Sequence, residues 1–191
     1  MLYRYLFCFS FPLLAACSAV DVSSNAGQGK ALRPADFFNG KLCADGVVRD
    51  YSGKQIRHFN AEIIASWDAS GTGRLQEEFR FNDGTEYRDW TLKPIVEQDE
   101  LVAYEATASD VPEATRMAFS GNAIHMDYTL DYQTGVDDQG RPDTLTLRMI
   151  DRMYQVADGV VVNETVMKKF GLEVGQVLLV MRQVDDAVQC F

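Results

Sequence analysis

His125-Met126-Asp127-Tyr128-Thr129-Leu130-Asp131-Tyr132 is the stretch on which the fold turns. Met126, Tyr128, Leu130 and Tyr132 alternate with His125, Asp127, Thr129 and Asp131, the period of a strand with one face in a core and the other in water. The same alternation recurs on both sides. It puts Phe79 and Phe81 on one face of residues 75–81, Leu145, Leu147 and Met149 on one face of residues 144–150, and Val177, Leu179 and Met181 together near the end. Turn-forming groups punctuate these runs, among them Asp50-Tyr51-Ser52-Gly53, Asn82-Asp83-Gly84 and Asp137-Asp138-Gln139-Gly140. Helical patterning is scarce. Asn163 to Phe170 has an N-cap candidate in Asn163 and a following Gly171, but Val160-Val161-Val162 just before it favours a strand.

The spacing predicts an all-β domain of about eight to ten consecutive strands. Closing so long a sheet removes its exposed edges, which points to an antiparallel up-and-down barrel of the lipocalin or calycin kind. A two-sheet β-sandwich is the alternative. A barrel embedded in lipid is not expected, because Glu78, Arg80 and Arg148 stand on outward faces.

The chain has 191 residues and a formal net charge of −10, which excludes nucleic acid as a partner. Its longest apolar run, residues 5–17, is too short to span a bilayer. Arg4, the apolar stretch to Leu14 and the small Ala15 and Ala16 have the order of a secretory signal peptide, assigned to residues 1–16. Leu14-Ala15-Ala16-Cys17 resembles the bacterial lipobox, in which the cysteine is acylated and becomes the new N-terminus. Cys17 is therefore the expected lipid acceptor and the membrane the expected partner of that anchor. Ser18, in place of a retaining aspartate, favours an outer-membrane address facing the periplasm. Residues 17–34 are small, polar and aperiodic, as expected of a tether without structure of its own, and residues 35–191 form one barrel domain.

Of four cysteines, Cys8 leaves with the signal peptide and Cys17 takes the lipid. Cys43 and Cys190 remain, one in the first strand and one just past the last. First and last strands are neighbours in a closed barrel, which makes the pair a disulfide candidate in an oxidising compartment.

Phe38-Asn39-Gly40, Gly46 to Asp50, Ser52-Gly53-Lys54, Leu75 with Glu78 and Phe79, Asp83-Gly84, Trp90, Gly121-Asn122-Ala123, Met153-Tyr154, Lys169-Phe170-Gly171 and Val174-Gly175 follow one order. In that order they resemble the proteobacterial putative-lipoprotein family catalogued as domain of unknown function thirty-eight thirty-three. The resemblance runs from about residue 37 to residue 184 and implies a lipoprotein, with no activity attached.

No catalytic motif is recognisable. The only histidines, His58 and His125, sit in no nucleophile–base arrangement and read as surface residues. Glu77 and Glu78 are adjacent in a strand, point to opposite faces and make no carboxylate pair. Asp137, Asp138 and Asp143 lack the spacing of a calcium loop, and no metal or cofactor is expected. Gly121-Asn122-Ala123 and Lys168 to Gly171 read as backbone geometry. The aromatic set is more suggestive. Phe79, Phe81, Trp90, Tyr104, Met126, Tyr128 and Tyr154 are expected to line the barrel interior, as a filled core or around one ligand. The expected function is a non-enzymatic envelope lipoprotein that binds or shuttles a lipidic or small hydrophobic ligand. The alternative is a solid barrel that engages another envelope protein.

Overall fold

A computed structural model describes residues 21–136 and 138–191, with Pro142 described in its backbone only. The expected signal peptide, residues 1–16, the expected lipid acceptor Cys17 and the turn residue Asp137 lie outside the described residues.

Ten strands follow one another: β1 (Gly40–Asp50), β2 (Gln55–Trp67), β3 (Gly73–Phe81), β4 (Gly84–Glu97), β5 (Glu100–Ala108), β6 (Val111–Ser120), β7 (Ala123–Val136), β8 (Pro142–Ala157), β9 (Val160–Lys169) and β10 (Leu172–Val184). Each pairs antiparallel with its successor, and β1 pairs with β10 from Lys41↔Val184 to Asp50↔Gly175, so the sheet closes into a barrel. The sandwich alternative is thereby set aside. Asn163 to Lys169 is strand, as the valine run favours. Lys169 pairs with Leu172 across a two-residue turn in which Phe170 and Gly171 both have positive φ, 53° and 81°. That hairpin geometry, rather than a helix cap, is what Gly171 serves.

One end of the barrel is plugged. A single helical turn, α1 (Pro34–Phe37), and the segment before it lie across the end where β1 begins. Leu32, Phe37 and Phe38 are buried there. Their backbone is held by side chains of the barrel: Trp67 Nε1 donates to the Phe38 carbonyl at 2.6 Å, and Gln183 Nε2 donates to the Asp36 and Phe37 carbonyls, both at 2.9 Å.

Residues 21–34 therefore depart from the expected free tether. Val22–Asn25 form a 3₁₀ turn capped by Asp21, and Leu32 N–H donates to the Gly121 carbonyl at 2.8 Å. The reason lies in the β6–β7 turn. Gly121 has φ +52°, and a Cβ there would stand 1.7 Å from the Asn25 carbonyl oxygen. A glycine lets the N-terminal segment press onto the turn, a contact that composition alone does not reveal.

The outer wall is wet and charged, with Arg148 paired to Asp127 at 2.6 Å and Arg80 to Glu78 at 2.8 Å. On the same wall the C-terminal tail folds back over β1, and Cys43 and Cys190 are joined there with Sγ atoms 2.01 Å apart.

Candidate functional site

Period-two alternation along ten strands sends half of the side chains inward, and their volumes do not fill the space. A cavity of about 430 Å³ remains, with Phe38 of the plug at its floor and its mouth among the β1–β2, β3–β4 and β9–β10 hairpins. The barrel is thus hollow, and the solid-barrel alternative does not describe it. Gly46 contributes to the shape. It pairs with Phe59 across β1 and β2, and a Cβ there would sit 2.3 Å from the Phe59 ring, so a larger residue would displace that ring.

Five of the seven expected lining residues border this cavity: Phe79, Phe81, Trp90, Met126 and Tyr128. Trp90 and Tyr128 meet edge to face at 5.4 Å, and Phe59 packs on Phe79 and Phe81 at 5.5 and 4.9 Å. Tyr104 points inward but lies in the plugged end, against Trp67 at 5.2 Å and Phe119 at 6.3 Å. Tyr154 is on the outer wall, 6.2 Å from the His125 ring. The cause is parity. Leu147 and Met149 face inward, so Asp151 and Met153 do too, and Tyr154 cannot.

His58 is exposed, as expected of it. His125 is on the outer face but is 7% exposed, enclosed by Asp21, Val22, Arg116, Asp127 and Arg152. Burial chiefly, and then the Arg152 charge, push its pKa down to about 4, with Asp21 acting in the opposite sense.

Deep in the apolar cavity is a polar cluster that the sequence reading missed. Glu77 comes from β3, Arg88 from β4, Tyr128 from β7, Asp151 from β8, and Asn163 and Thr165 from β9. Thr165 donates its hydroxyl to Asp151 Oδ1, and Asn163 Nδ2 donates to Thr165 Oγ1 at 3.3 Å. Tyr128 and Asp151 both border the cavity on the adjoining strands β7 and β8. Arg88 Nε donates to Asp110 Oδ2 at 2.8 Å, an acid that reaches in from the β5–β6 turn. Glu77 is half-buried and borders the cavity. Its desolvation, reinforced by the Asp110 and Asp151 charges and opposed by Arg88 and Trp90, pushes its pKa up to about 7. Burial likewise raises Asp151 and lifts the Tyr128 hydroxyl well above its ordinary value. Burial opposes the Arg88 charge, yet Tyr128, Glu77 and Asp110 together push its pKa above the ordinary value. A carboxyl protonated near neutrality beside a fixed cation can accept or donate a hydrogen bond to a guest. The missed signal was again parity, since Glu77 shares the face of Leu75, Phe79 and Phe81.

A second polar group stands at the mouth. Arg57 pairs with Asp83 at 2.6 Å and Glu86 at 2.9 Å, donates to Tyr132 at 3.2 Å and lies 3.6 Å over the Phe81 ring.

With this geometry in place, comparison with known proteins identifies the family. A family profile described as "Protein of unknown function (DUF3833)" matches residues 11–183. The chain belongs to the DUF3833 family. No curated protein matches it. Among solved structures, an S-type phycobiliprotein lyase from Guillardia theta is similar in fold, with a TM-score of 0.51 and 11% sequence identity over 83% of this chain and 95% of that one. At that identity the likeness concerns the barrel fold of this DUF3833 member and carries no activity across.

Proposed function

We propose that this DUF3833 protein is a bacterial envelope lipoprotein, anchored through Cys17 in the outer membrane and facing the periplasm, whose barrel binds or shuttles a lipidic or small hydrophobic molecule without catalysis. The observation that carries the reading is the cavity of about 430 Å³, lined mostly by apolar side chains and open at one end. Its size falls in the range of small-molecule sites, roughly 300–1,000 Å³. An anchor of several acyl chains would hold such a barrel at a lipid surface, each buried methylene contributing about 0.8 kcal/mol.

Native mass spectrometry with solvent extraction, on protein purified gently from its own envelope, tests the reading. A reproducible lipid or hydrophobic adduct is expected. A bare barrel, carrying nothing through repeated gentle preparations, would overturn the carrier role. One observation favours a second reading, engagement of another envelope protein: Tyr51, Phe170 and Leu172 stand strongly exposed on hairpins around the mouth, Phe170 at 93%. Crosslinking in the envelope to one partner, with no adduct in the cavity, is the signature of that alternative.

A further inference from the structure

Taking the cavity as a binding site, as proposed above, we infer that it accepts an apolar chain headed by a basic, hydrogen-bond-donating nitrogen in preference to a fatty acid or another anion. The balance of charge points this way. Glu77 and Asp151 face the cavity, and Asp110 enters from the β5–β6 turn, so three carboxyl groups surround the single guanidinium of Arg88. Arg88 already gives its Nε–H to Asp110. A carboxylate head approaching Arg88 would meet these acids as well, whereas an ammonium head can pair with Glu77 once that carboxyl gives up its proton. Among the described residues no three acidic, histidine or cysteine side chains gather as metal ligands, so the complement is an organic cation.

The hydrogen-bond inventory points the same way, independently of charge. Along β9 and β8 Asn163 gives one of its two Nδ2 hydrogens to Thr165, and Thr165 gives its hydroxyl hydrogen to Asp151. An acceptor is left without a partner. Asn163 Oδ1 has no partner, although Asn163 is only 5% exposed and borders the cavity. Buried acceptors are ordinarily satisfied, and an N–H of a bound guest would satisfy this one. The rest of the wall, with Phe59, Leu147, Met149 and Met181, suits a hydrocarbon body.

Proton balance gives the interaction a pH signature. An ammonium head displaces the proton of a neutral Glu77, which passes to solvent as the ion pair forms. The groups facing that carboxyl are Arg88, Asp110, Asp151 and Trp90, and Arg57, Glu86 and Tyr132 lie farther out at the mouth. Burial holds Glu77 at about 7, so affinity for an amine rises between pH 6 and pH 8.

The test is displacement of the uncharged dye N-phenyl-1-naphthylamine from the purified full chain by dodecylamine, dodecanol and dodecanoate, each below its micellar concentration. Dodecylamine is expected to displace the dye at a concentration about ten-fold below that of dodecanoate, as a charge-assisted hydrogen bond implies. Glu77→Gln should shrink that preference several-fold and remove its rise with pH. Equal or tighter binding of dodecanoate, or a preference untouched by Glu77→Gln, would overturn the inference alone. Failure of the dye and all three chains to enter would sink the cavity reading along with it.

Discussion

The Arg57 guanidinium on β2 reaches the Tyr132 hydroxyl on β7, 3.2 Å away, and these two strands stand five places apart in either direction round the closed ring. A side-chain strap thus crosses the mouth along a diameter. Asp83 and Glu86 hold the arginine from one side, and the Phe81 ring supports it from below at 3.6 Å. Removing it should loosen the opening more than the barrel. For Arg57→Ala we expect release of a bound hydrophobic dye to quicken about three- to ten-fold, corresponding to loss of roughly 1 kcal/mol at the mouth. Stopped-flow dilution measures it, and an unchanged release rate would show that the strap does not govern exchange.

Cys43 and Cys190 close a loop spanning 147 residues of sequence. On the chain-entropy account a link over so long a loop contributes about 5 kcal/mol. For a domain of this size that corresponds to a fall of roughly 10–20 °C in Tm for Cys43→Ser or Cys190→Ser. Intact mass before and after reduction reports the bond itself, and thermal unfolding reports its weight.

Gly121→Ala places a methyl group against the Asn25 carbonyl at a positive φ. The conformation alone costs roughly 1–2 kcal/mol, and the overlap must be relieved by displacing the N-terminal segment. The Leu32 amide, bonded to the Gly121 carbonyl in the native fold, should then exchange with deuterium far faster while the β7–β8 amides keep their protection.

Two buried groups push stability in opposite directions with pH. Glu77 has its folded pKa raised to about 7 from 4.5, so the native state holds the extra proton and stability falls as pH rises through that window. Glu77→Gln imitates the protonated form and should be more stable than the parent at pH 8, with the gap closing near pH 4. His125 has its folded pKa lowered to about 4 from 6.5, so its contribution is present above 6.5 and is lost as pH falls toward 4. His125→Gln should flatten the acid side of the curve. Denaturant midpoints across pH 4–8 for the parent and both variants separate the two.

For the proposed anchor, Cys17→Ala should abolish labelling with radioactive palmitate and shift the protein from the membrane to the soluble fraction. Retention of both label and membrane association would reject acylation at that residue.

Local alternation made the strands legible. Residues 125–132 and 144–150 carry inward apolar side chains at every second position, as their pattern indicates, and the turns at Asp50 to Gly53 and Asn82-Asp83 fall where their residue types put them. The same parity reaches Glu77 and Asp151, but a local reading resists placing acids in a core, since an unpaired buried charge is costly. Adjacent hairpins already pair Glu77 with Arg88 and Asp151 with Thr165, but only the closed barrel brings the β3–β4 pair and the β7–β9 residues to one cavity. Tyr154 was misplaced for a related reason, because its aromatic character spoke for the core while its register set it outside.

By itself, then, the amino-acid sequence determined strand periodicity, strand number within narrow limits and the family. Those properties are local or cumulative along the chain. The tertiary structure decided that the sheet closes on itself, that the closed lumen is hollow, that residues 21–38 plug one end and that Arg57 and Tyr132 meet across the other. These depend on strand register summed around a full ring, and on volumes contributed from every strand, which no single stretch of sequence contains.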